Sequence, residues 1–141
     1  MSFSGGVDAF ARHAGANMDR MVRRVVLEIG TRIVEKSPVG DADYWTSPAP
    51  PGYVGGRFRA NWQYKFGYVP SGTIDAVSPS GSISIDSLSN VLVGPTSGVH
   101  FIANNLPYAK RLENGWSRQA PRGMVVLTLV EFQGIVRRAA A

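Results

Sequence analysis

The stretch NNLPYAKRLENGWSRQAPRGM, residues 104–124, gathers more local structural signals than any other part of the chain. Pro107 suits the first position of a helical turn, because its locked φ fits there and its missing N–H has no helical partner to lose. Tyr108, Ala109, Leu112 and Glu113 follow at helical spacing, with Tyr108 and Leu112 four apart on one face. Asn114-Gly115 ends the turn, since glycine readily takes the left-handed conformation that closes a helix. A second segment opens at Pro121, so Trp116 is expected to pack between two short turns and two prolines. Such a corner fixes what lies on either side of it.

Upstream, Val7, Ala11, Ala14, Met18, Met21 or Val22, Val25, Ile29 and Ile33 recur in steps of three and four, predicting a helix over 7–36 with one apolar stripe. Ser4 can cap it, and Pro38 ends it by moving Ser37 out of the helical region. At 1.5 Å per residue this helix is roughly 45 Å long. It either stays inside one core or lends part of its length to a neighbour. Downstream of the corner, Val125, Leu129, Phe132 and Val136 predict a second helix from Pro121, broadened by Val126, Leu127, Val130 and Ile135 and ended by Arg137 and Arg138.

Between these helices, Phe58, Ala60, Trp62 and Tyr64 or Phe66 alternate with Arg57, Arg59, Asn61, Gln63 and Lys65, the pattern of a strand with a polar and an apolar face. Arg59 and Lys65 are expected on the same face. Further strands are predicted at 82–85, 91–93 and 99–103, with turns at Pro70-Ser71-Gly72 and Gly94-Pro95. Helix, sheet, helix gives an α+β fold: two helices on one face of a small, mainly antiparallel sheet. The length of 141 residues fits a single domain spanning 1–141. A Pro-, Gly- and aromatic-rich insertion at about 40–56 interrupts it. Pro48, Pro50 and Pro51 forbid a helix there, and Tyr44, Trp45 and Tyr53 are the kind of side chain that partner surfaces bury. This loop is expected to be ordered mainly by a neighbouring subunit or partner.

Composition excludes several chemistries. With no cysteine, disulfides and thiolate metal sites cannot form. No Gly-x-Ser-x-Gly elbow occurs. His13 and His100 are isolated, giving no zinc spacing. The glycines of 52–56 lack the Lys-Ser/Thr sequel of a P-loop. No apolar run approaches a membrane span, and the first residues lack the basic-then-apolar order of a signal peptide. No catalytic, cofactor-binding or metal site is expected. A net charge of +5 raises a nucleic-acid-binding alternative. However, Arg12, Arg20, Arg23, Arg24, Arg32 and Lys36 are interleaved with Asp19, Glu28 and Glu35, which reads as a solvated helix face.

Two blocks carry a family resemblance. Pro107-Tyr108-Ala109, Leu112-Glu113, Gly115, Gln119-Ala120-Pro121 and Gly123-Met124 form one; Ser37-Pro38-Val39 followed by Gly56-Arg57-Phe58-Arg59-Ala60-Asn61-Trp62 forms the other. In this order, between two helices, they resemble the small tail-completion or neck proteins of long-tailed bacteriophages. The chain departs from that pattern by interposing residues 40–55 within the second block. The resemblance implies a structural virion protein of the head-to-tail junction. It would assemble in the host cytoplasm as a homo-oligomeric ring, expected to be a hexamer, at the head-proximal end of the tail. Its partners would be tail-terminator or tail-tube and head-connector proteins, near channel DNA and away from any membrane.

On this reading, Tyr44, Trp45, Tyr53, Arg57, Arg59, Tyr108, Arg111, Glu113, Trp116 and Arg118 are the contact candidates. Trp62 is expected in the core, Trp45 at a contact and Trp116 at either. Glu113, the one acid of the central block, has no second titratable partner for catalysis and is expected to bond Arg57, Arg59 or Arg111.

Overall fold

The computed structural model describes residues 3–40, 51 and 55–140. Its first element, α1, runs over Phe3–Lys36 without a break. The start lies before Ser4, so that residue is inside the helix and is not its cap. Only the second half of the apolar stripe is used internally: Ile33 and Val34 are buried with Ile29 packed beside them. Residues 7–18 are all exposed, including Phe10 at 72% and Met18 at 58%. A helix wholly internal to the domain is therefore ruled out. The exposed stretch, residues 7–18, spans roughly 18 Å of α1.

The C-terminus of α1 is capped from elsewhere. Arg59 donates to the carbonyls of Glu35 (3.0 Å), Ser37 (2.8 Å) and Pro79 (2.8 Å). This meets the need of a helix end for donors and places a cation where the dipole favours one. Arg59 belongs to α2 (Arg57–Ala60), a single helical turn, and not to a strand. The expected shared face of Arg59 and Lys65 is thus corrected. Phe58 and Ala60 are both buried. Asn61, also buried, holds the turn by donating to Arg57 O (2.7 Å) and Ile74 O (3.0 Å) while accepting from Ile74 N–H (2.7 Å).

The strand proper, β1 (Trp62–Phe66), pairs antiparallel with β2 (His100–Asn104), Tyr64 facing Ile102. Trp62 and Tyr64 point into the core, and the Trp62 indole donates to the buried Ser37 hydroxyl at 2.8 Å. His100 sits between Phe66 and Tyr64. Its Nε2–H donates to Thr96 O at 2.9 Å, which leaves Nδ1 to accept from the Tyr64 hydroxyl at 2.8 Å. Burial also raises the Tyr64 pKa.

The strands expected at 82–85 and 91–93 are replaced by α3 (Ser82–Leu88) and a 3-10 turn (Ser89–Leu92). The core stripe here is Ser84, Leu88 and Val91, at helical spacing, and a buried serine in the first place hides it from a hydrophobic pattern. Leu92 and Val93, which made the triplet look like a strand, are 50% and 88% exposed.

The C-terminal helix starts later than Pro121. It comprises α5 (Val125–Val130) and α6 (Phe132–Ala140), joined through Glu131, whose N–H reaches Thr128 O at 3.1 Å. Ile135 and Ala139 pack α6 along α1. The result is an α+β fold: a long N-terminal helix, C-terminal helices and a two-stranded antiparallel sheet.

The α1 charges do not all face solvent as expected. Glu28 and Arg32 pair at 2.9 Å, Lys36 meets Glu131 at 3.0 Å, Arg138 meets Glu28 at 2.9 Å, and Arg32 also engages Glu131. The Arg138 hydrogen bond, helped by Arg32, holds Glu28 below its ordinary value, and Lys36 with Arg32 does the same for Glu131. Arg23 donates to Gly94 O at 3.3 Å. Arg12, Arg20 and Arg24 remain exposed.

Candidate interaction surface

Residues 104–124 form the corner, centred on α4 (Ala109–Glu113). Leu106 is buried beneath it, and Ala109 N–H bonds Leu106 O at 3.0 Å. The helix closes with the two bonds of a Schellman motif: Gly115 N–H to Leu112 O (3.1 Å) and Trp116 N–H to Arg111 O (3.2 Å). Gly115 supplies the required left-handed residue at φ 89°. A Cβ there would also lie 2.5 Å from Pro121 O. The motif brings the Arg111 guanidinium over the Trp116 ring, 5.1 Å from its centroid.

Glu113 is not an arginine partner. Its carboxylate accepts from the backbone N–H groups of Met124 (3.0 Å), Val125 (3.1 Å) and Val126 (3.0 Å), the donors that open α5. One acid at the end of α4 therefore starts the next helix, as an anion at a helix N-terminus should. Gly123, at φ 85°, permits this, because a Cβ there would lie 2.5 Å from Glu113 O. Ala120 and Met124 are buried below, and Gln119 accepts from Val39 N–H at 2.7 Å, tying the corner to the exit of α1.

Trp116 itself is 73% exposed, so its core role and its packing between the prolines are overturned. In the same segment Lys110, Arg111, Arg118 and Arg122 are exposed, and none makes an ion pair among the described residues. Of the contact candidates, Tyr108, Arg111, Glu113, Trp116 and Arg118 come together here. Tyr108 packs its ring on Phe58 at 6.1 Å, and Glu113 serves internally. Arg57 is exposed on α2, away from a strand, and Arg59 is committed to the α1 carbonyls. Tyr44, Trp45 and Tyr53 lie outside the described residues. Lys110 and Arg122 were missed as candidates, although their spacing within the same basic segment marks them. Val126, Leu129 and Val130 of α5, expected within the apolar stripe, are exposed.

A shallow cleft of about 530 Å³ between α1 and α6 is lined by Arg24, Glu28, Thr31, Arg32 and Arg138 among others. Its charges are largely spent on one another. The carboxyl of Glu28 is shifted down, the opposite of what a general acid near neutrality requires. Among the described residues no group of His, Asp and Glu could hold a metal ion, and no helix is long and apolar enough to cross a membrane.

Compared with family models, curated proteins and solved structures, the chain gives no match in any of the three.

Proposed function

We propose that this protein is a structural subunit of the head-to-tail junction of a long-tailed bacteriophage. It assembles as a ring at the head-proximal end of the tail and contacts tail-terminator or connector proteins, with no covalent chemistry of its own. The observation that carries this reading is the meeting of the two sequence blocks that resemble tail-completion proteins. Ser37 of one half-block bonds Trp62 of the other (2.8 Å), and Arg59 bonds the Ser37 carbonyl (2.8 Å). The Phe58 and Tyr108 rings meet at a tilt, and Val39 N–H bonds Gln119. The resembling residues thus form one contiguous framework. Its outer surface carries an exposed Trp and Arg pair, the residue types that dominate binding hot spots.

A helical arm exposed over residues 7–18 and an exposed basic corner suit a subunit completed by neighbours. The test is to add the purified chain to tails from a lysate deficient in it and to score head joining and virion yield. Restored joining supports the reading; normal joining without the protein rejects it.

A further inference from the structure

Charge along this chain is segregated in a way that net charge conceals. Residues 66–99 contain no lysine or arginine, and their two acids are Asp75 and Asp86. Residues 104–124 carry Lys110, Arg111, Arg118 and Arg122 against Glu113 alone, and that carboxylate is occupied by backbone N–H groups. Asp75 and Asp86 are both exposed. No ion pair within the chain joins either of them to a corner cation among the described residues. Neither Asp75 nor Asp86 makes an ion pair among the described residues, and the one guanidinium that reaches their segment, Arg59 on Pro79 O, is engaged by three backbone carbonyls.

The acidic face also has an apolar floor. Val77 is 50% exposed and Ile83 40% exposed. Ser78 accepts the Ile83 N–H at 3.3 Å, which brings the Val77 segment against the start of α3. Asp86 lies one turn beyond Ile83 on the outward side of that helix. The segment is held in place by Arg59 on Pro79 O and by Asn61 on Ile74. The corner is held by its Schellman closure and by Glu113. One preformed surface is an indole under the Arg111 guanidinium within a basic segment, the other is Val77 and Ile83 in a segment whose charged side chains are Asp75 and Asp86; the two are complementary in chemistry and sign.

We propose that copies of this chain join head to tail, the Trp116 corner of one copy seated on the Asp75, Val77, Ile83 and Asp86 face of the next. Such a contact is heterologous: every copy offers one face of each kind, so the series closes into a ring when the rotation allows. The inference rests on the ring reading above and names the contact that builds the ring.

Mass photometry and light scattering of four chains decide it: wild type, Arg111→Glu/Arg118→Glu, Asp75→Arg/Asp86→Arg, and the chain carrying all four changes. Circular dichroism serves as the folding control. Wild type is expected to assemble at low salt and to weaken as salt screens the contact. Each pair of reversals should weaken assembly about ten-fold or more. The four-fold chain, with both faces inverted, should assemble again, as should an equimolar mixture of the two double variants. Recovery by inversion cannot arise from misfolding.

Wild-type rings indifferent to both reversals, or no recovery in the four-fold chain, would overturn the contact while leaving a ring subunit intact. Charge-swap recovery in a chain that joins no tails would uphold the contact and reject the junction reading. A wild-type chain that stays monomeric while its corner binds a duplex DNA oligonucleotide would overturn the contact in favour of nucleic acid.

Discussion

Replacing Glu113 with alanine removes the acceptor for three N–H groups at once. Those donors are 3.0, 3.1 and 3.0 Å away, at Met124, Val125 and Val126. Met124 is buried, so its N–H has little access to replacement water, whereas Val126 is exposed and recovers most of its loss. A bond to a charged acceptor contributes about 1.5–3 kcal/mol and an ordinary capping side chain about 1 kcal/mol. With one donor stranded, one partly so and one rescued by solvent, Glu113→Ala should cost about 2–3 kcal/mol. Glu113→Gln keeps one acceptor oxygen and loses the charge, so it should cost roughly half as much. Urea unfolding followed by circular dichroism, with the slope checked for constancy, measures both. Arg111→Ala is the control: if Glu113 acted through an Arg111 ion pair, the two losses would match, whereas here Arg111→Ala should change stability by less than about 0.5 kcal/mol. Equal losses for Glu113→Ala and Arg111→Ala, or a near-neutral Glu113→Ala, would refute the capping argument.

Gly123→Ala should destabilise by about 2 kcal/mol or more, because it combines a left-handed φ with a Cβ 2.5 Å from Glu113 O; chemical denaturation checks it. Trp116→Ala should leave the melting temperature within about 2 °C of wild type, since the indole is 73% exposed, yet lower assembly or tail joining several-fold. Acid should loosen the α1–α6 contact. Glu28 and Glu131 have folded pKa values below the ordinary 4.5, so their contribution is complete above 4.5 and is lost as pH falls through their lowered values. Thermal melts from pH 7 to pH 3 should show a smaller acid loss in Glu28→Gln/Glu131→Gln than in wild type.

Much of the architecture was legible where one signal dominated. The three-and-four stripe implied a helix ending at Lys36, the alternation of Trp62 and Tyr64 a strand through those two residues, and Gly115 the close of α4, and each of those features is present. The errors share a cause. Arg57–Ala60 alternates as a strand would, but four residues are too few to separate periods of 2 and 3.6. In α3 the core positions are taken partly by serine, so apolar counting saw Ile83 and Ile85 and missed the turn. Glu113 looked like an ion-pair partner because its true acceptor role is toward backbone N–H groups, which no side-chain pattern displays. The exposure of Trp116 was equally hidden: a tryptophan beside glycine and two prolines reads the same whether it packs inward or stands out. The segregation of charge between 66–99 and 104–124 was written in the sequence throughout, but net charge averaged it away.

Electron microscopy of the purified chain, alone and mixed with isolated tails, tests the central claim most directly. The account predicts closed rings, or tube ends capped by added density. Single copies that leave tail ends bare at every concentration would contradict it.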